Sequence, residues 1–149
     1  MGFPLIRSIM ARYTSISSRV VRSRLKAVWP DLEHIWLTDN RFELLTVKKL
    51  DALLEKDKTD SLQYKKKKGE CEEFSLFLHA KVKMANMFDD NSKYSWAFGE
   101  VIGRKFLGFE QVHSANICLT KSGIYLIEPQ TDAYWQADPD EDDVFFVKM

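Results

Sequence analysis

A cysteine opening an apolar helical run, followed by a histidine and a carboxylate on later extended runs, is the arrangement most able to do chemistry in this sequence. Gly69-Glu70-Cys71-Glu72-Glu73-Phe74 leads into Phe77 and Leu78 at helical spacing, which predicts Cys71 on the first turn of a helix. Free N–H groups and the positive dipole end at such a position favour a thiolate. His113 opens the strand-like run to Thr120, and Glu128 closes the run from Ile124. Lys121-Ser122-Gly123 between them predicts an antiparallel hairpin that brings His113 toward Glu128. Nucleophile, base and orienting carboxylate are then Cys71, His113 and Glu128. Gln63 and the Cys71 backbone N–H are the candidate oxyanion donors, and Trp96 and Ser114 the candidate substrate contacts. Glu70, Glu72 and Glu73 oppose the thiolate wherever they approach the sulfur.

Those residues need elements to hold them. Apolar positions from Ile6 to Val28 recur at three- and four-residue steps, predicting one or two amphipathic helices with a basic outer face, ended by Pro30. Short extended segments at His34–Leu37 and Phe42–Leu45 flank a turn, and Thr46 caps a helix over Val47–Lys56. The helix from Cys71 runs to about Met87 and ends in Asp89-Asp90-Asn91-Ser92. Tyr94–Gly103 is an aromatic, partly alternating stretch, and Trp135 with Val144–Val147 supplies a last edge. The division expected is a basic helical extension over 1–60 and an α+β core over 61–149, within one compact domain.

The 149 residues suffice for one domain with a core, and 45% hydrophobic with 30% charged residues describes a globular chain with a soluble surface. The formal net charge is zero, which argues against general nucleic-acid binding, although the segment before Asp31 is basic and free of acid. That segment resembles a mitochondrial presequence in composition; otherwise a cytoplasmic location is expected. Two cysteines are too few for a disulfide scaffold and fit a reducing compartment. No apolar run approaches the roughly 18 residues of a membrane span. Cys118, mid-strand, reads as inert core, and His79 and His34 as structural. Neither Cys-x-x-Cys nor His-x-x-x-His occurs, which argues against zinc. Asp138–Asp143 offers oxygen ligands for calcium but lacks the spacing of an EF-hand; no other cofactor is implied.

Gly-x-Cys-x-Glu-Phe at 69–74, His-Ser-Ala-Asn at 113–116 and Tyr-Leu-Ile-Glu-Pro-Gln-Thr at 125–131 together resemble the papain-like and transglutaminase-like cysteine enzymes, most closely the papain-like C-terminal domain of certain fungal agglutinins. The resemblance runs from about Gln63 to the C-terminus, with Glu128 where Asp or Asn is more usual. It implies a central helix on an antiparallel sheet and a cysteine peptidase or amidase acting on a peptide or protein through a thioester, with water or an amine as acceptor. The alternative is a non-catalytic interaction or inhibitor protein on the same fold, binding a protein or nucleic-acid partner.

Overall fold

A computed structural model describes residues 13–106 and 108–149. Its elements are β1 (Ser15–Ser17), α1 (Ser18–Val28), β2 (His34–Trp36), β3 (Arg41–Glu43), α2 (Val47–Lys56), a 3-10 turn (Thr59–Ser61), α3 (Cys71–Met87), β4 (Ser95–Trp96), β5 (Phe98–Lys105), β6 (His113–Thr120), β7 (Gly123–Glu128), β8 (Ala133–Gln136) and β9 (Asp143–Lys148). Local chemistry sets the helix starts. Ser17 accepts the Val20 N–H at 3.3 Å ahead of α1, and Thr46 accepts the Lys49 N–H at 3.1 Å ahead of α2.

Two mixed sheets organise the described residues. The larger runs β2-β9-β5-β6-β7-β8, with β2 parallel to β9 and the other pairs antiparallel. The smaller runs β1-β3-β4, with β3 parallel to β4. Strand β6 is buried along its whole length because both of its faces are covered. Ala115, Ile117 and Leu119 point into a core shared with Val21 and Leu25 of α1, whereas Cys118 packs with Leu50 of α2 and Leu78 and Val82 of α3. Close strand approach is enforced at Gly99, where a Cβ would stand 1.9 Å from the Lys148 carbonyl oxygen.

These observations correct the expected papain-like or transglutaminase-like α+β arrangement. Among the described residues nine strands in two mixed sheets dominate, with three helices between them, in place of a helix on a purely antiparallel sheet. The cause lies in pairing that local sequence does not encode: β2 and β3, expected only as short extended segments, and the two-residue β4 join sheets through backbone hydrogen bonds to strands distant in the chain. Within the described part of the basic helical extension, residues 15–17 form a strand and α1 begins at Ser18. The part of it before Tyr13, including Arg7 and Arg12 of the presequence-like segment, lies outside the described residues. Residues on both sides of position 60 share one core. Among the described residues no helix is long and apolar enough to cross a membrane.

Candidate functional site

Helix α3 and strand β6 meet at their N-terminal ends, and an open groove of about 810 Å³ lies there. Cys71, the first residue of α3, lines it together with His113 and Ser114, the first two residues of β6. Tyr64, Phe109 and Phe145 add aromatic surface, and Glu70, Glu72, Gln111 and Gln130 add polar groups.

The hairpin of β6 and β7 performs the juxtaposition its turn predicts. His113 Nε2 lies 2.5 Å from Glu128 Oε2, with both side chains buried. The second Glu128 oxygen accepts the Gln130 N–H at 3.1 Å. Phe109 stacks on the imidazole at 4.6 Å between centroids and 6° between planes, and Phe106 meets it edge-on at 6.0 Å. Phe106 and Phe109 exchange backbone hydrogen bonds of 3.0 and 2.8 Å across a turn with Gly108 at φ +83°, a conformation glycine adopts without penalty. Sequence reasoning missed Phe109; its signal is an aromatic residue beside a turn glycine just ahead of His113.

The thiol is not activated in this geometry. Among the described residues no hydrogen bond joins Cys71 to His113. The sulfhydryl instead meets Glu72 Oε2 at 3.5 Å. Burial first, and the Glu72 carboxylate next, push the Cys71 thiol above its ordinary value, against the opposing backbone and hydroxyl dipoles of Ser114. The positive end of α3 is already taken up by carboxylates: Glu73 accepts the Glu70 N–H at 2.8 Å, and Glu72 stands in the same turn. Burial and the Glu72 carboxylate therefore prevail at the thiol.

The remaining expected site residues fall in different places. Ser114 lines the groove. Gln63 is exposed and makes no hydrogen bond to Cys71 among the described residues. Trp96 is buried away from the groove, packed with Leu50, Leu54 and Leu78. Cys118 is fully buried, and burial drives its thiol far up. His79, also buried, pairs with Glu100 at 2.8 Å beneath α3. Within the acidic stretch, Asp142 is spent on structure, accepting the Asp138 N–H at 2.9 Å and the Trp135 indole at 3.3 Å. The one grouping of possible metal ligands among the described residues is Asp57, Asp60 and Asp132, whose oxygens lie within 4.8 Å of one another, outside the groove.

A strand-rich chain with a buried histidine–carboxylate pair at an open, aromatic-walled groove is the class of structure these observations define. No family profile and no curated protein sequence matches the chain. Solved structures do. One, described as a PSL1a-E64 complex, superposes with a TM-score of 0.75 at 18% identity, covering 91% of this chain and 50% of that one. Another, Polyporus squamosus lectin bound to the human-type influenza-binding epitope Neu5Acα2-6Galβ1-4GlcNAc, gives 0.73 at 18% identity, covering 91% and 49%. The chain thus spans about half the length of the chains it matches. At this identity the likeness establishes the fold alone.

These neighbours correct the resemblance drawn from the motifs. Their descriptions name a lectin and a PSL1a complex, and neither describes a cysteine hydrolase. The expectation of a papain-like peptidase, amidase or acyltransferase with a peptide or protein substrate is withdrawn on that finding, and the unactivated Cys71 agrees with its withdrawal.

Proposed function

We propose that the chain is a non-enzymatic carbohydrate-binding module that takes a short glycan in the groove between α3 and β6. The observation that carries this reading is the composition of the groove walls, where the rings of Tyr64, Phe109 and Phe145 are joined by Gln111, Gln130, Glu70 and Glu72. A pyranose presents apolar C–H faces and a ring of hydroxyls, so it needs flat aromatic surface together with side chains that donate and accept hydrogen bonds. The Phe109 ring is pre-set by its stack on His113, and His113 is itself fixed by Glu128, so little ordering cost attaches to binding there. The fold shared with a lectin seen bound to a sialylated glycan supports the ligand class.

The test is an NMR or calorimetric titration of the folded chain with Neu5Acα2-6Galβ1-4GlcNAc and its asialo counterpart. Saturable binding is expected, with shifts centred on Ser114, Gln130 and Phe109. Phe109→Ala is expected to weaken it by about tenfold, the value of one aromatic stacking contact of about 1.4 kcal/mol. Shifts confined to residues outside the groove, or no saturable binding of either sugar at millimolar concentration, overturn the reading.

A further inference from the structure

A second groove lies at the other end of β6 from His113. The C-terminal half of α1 and the β6–β7 hairpin leave an open space of about 400 Å³ between them. Its apolar lining comes from Ala27 and Val28 of α1, Leu119 and Ile124 of the hairpin, and Ala137 just beyond β8. Leu119 and Ile124 belong to the core that α1 covers, and Val28 and Ala137 pack against it, so this lining is the side of that core left open between the two elements.

Charge in this groove has one sign. Arg24 and Lys121 line it, and its described lining holds no carboxylate, in contrast to Glu70 and Glu72 in the groove beside His113. Neither cation has an ion pair or a side-chain hydrogen bond among the described residues, whereas Arg22 and Lys26 of α1 are spent on the carbonyls of Ile35 and of Pro30 and Leu32. A guanidinium and an ammonium beside apolar surface fit a ligand with one anionic head and an apolar body, and the guanidinium fork matches a carboxylate. The hairpin restricts what that body is. Thr120 Oγ1 accepts the Ser122 N–H at 3.1 Å and donates to the Gly123 carbonyl at 2.9 Å, and the N–H groups of Lys121 and Ala137 donate to the carbonyls of Leu45 and Ile124 at 3.1 and 2.8 Å. Against a wall whose backbone is so occupied, an extended peptide leaves its own N–H and C=O groups without partners, whereas a hydrocarbon chain has none to satisfy.

We propose that the groove between α1 and the β6–β7 hairpin binds a medium-chain fatty acid, its carboxylate at Arg24 and Lys121 and its chain along Val28, Leu119 and Ile124. The site is independent of the glycan reading, since it uses the other end of β6.

NMR titration of the full chain with octanoate tests this, and saturable shifts centred on Ser122, Gly123 and Ala137 are expected. Complete burial of one methylene is worth about fourfold in affinity, so in an open groove the two methylenes from hexanoate to octanoate should together gain about fourfold. Loss of both cations in Arg24→Gln/Lys121→Gln should weaken octanoate at least about tenfold, and 1-octanol should bind the parent about tenfold more weakly than octanoate does. Ala27→Leu, which fills the groove from an exposed helix position, should also weaken octanoate about tenfold. Equal affinity for hexanoate and octanoate leaves a bare anion site, and equal affinity for octanoate and 1-octanol a bare apolar one; either overturns the proposal. Tighter binding of a short peptide ending in leucine assigns the groove to a chain terminus and overturns it equally, as do unchanged affinity in the variants and the absence of saturable binding at millimolar octanoate. Should the double variant lose its dispersed amide spectrum, Ala27→Leu alone serves as the comparison, with the same expected direction.

Discussion

The imidazole Nε2 of His113 and the carboxylate Oε2 of Glu128 lie 2.5 Å apart in a buried position, joined across the hairpin of β6 and β7. Their contact fixes the ring on which Phe109 stacks at the wall of the groove. Glu128→Gln removes a charged acceptor from a buried donor, so a loss of about 2–4 kcal/mol of stability is expected. Denaturant unfolding measures this directly, and glycan binding should weaken in parallel because the Phe109 platform loosens. A variant as stable as the parent shows that the pair does not hold the site.

Cys71 should behave as an unactivated thiol. Its burial and its contact with Glu72 oppose ionisation, so alkylation by iodoacetamide should rise only above the range of a free cysteine, and His113→Ala should leave that profile unchanged. Glu72→Gln should move the profile to lower pH by removing the nearest carboxylate. Peptide mapping separates Cys71 from the inaccessible Cys118. Rapid, His113-dependent alkylation of Cys71 below pH 7 would contradict the binding-only reading.

Asp132 has a carboxyl oxygen buried without a hydrogen-bond partner among the described residues, near Asp60 and Asp57. Burial, then those two charges, raise it from 3.8 to about 6. A carboxyl that holds its proton more tightly when folded favours folding fully below the unfolded value, and this contribution is lost as pH rises through about 6. Asp132→Asn should therefore stabilise the protein at pH 7 by on the order of 1 kcal/mol, allowing for partial solvent screening, and by much less at pH 4. Asparagine also tolerates the φ of +59° found there. Thermal melts at the two pH values check the difference.

Asn116 ties α3 to the large sheet, donating to the Ser75 carbonyl at 2.8 Å and the Gly99 carbonyl at 3.0 Å from a fully buried position. Asn116→Ala strands both acceptors and should cost about 2–3 kcal/mol. The neighbouring Glu100 is held below its ordinary value by its hydrogen bond to His79. Its contribution is present above pH 4.5 and is lost as pH falls through the depressed folded value. Acid unfolding of Glu100→Gln should accordingly lack part of the parent's pH dependence in that range.

Much of the local structure is written in the sequence. The capping threonine before α2, the apolar spacing after Cys71 and the Lys121-Ser122-Gly123 turn each depend on neighbours within a few residues, so helix starts, the hairpin and the approach of His113 to Glu128 follow from them. The sequence also showed three glutamates around the cysteine, without showing which influence on the thiol prevails. Tertiary structure decided the rest. Strands of two or three residues form only when a partner strand supplies their hydrogen bonds, so the mixed sheets and the place of β2 beside β9 had no local signal. Burial decided the cysteine, because the charge of a thiolate depends first on desolvation, which is set only when α3 docks on β6, and then on Glu72 beside it at 3.5 Å. The same docking put Trp96 in the core and Phe109 in the groove, since a side chain's exposure is set by the element that covers it.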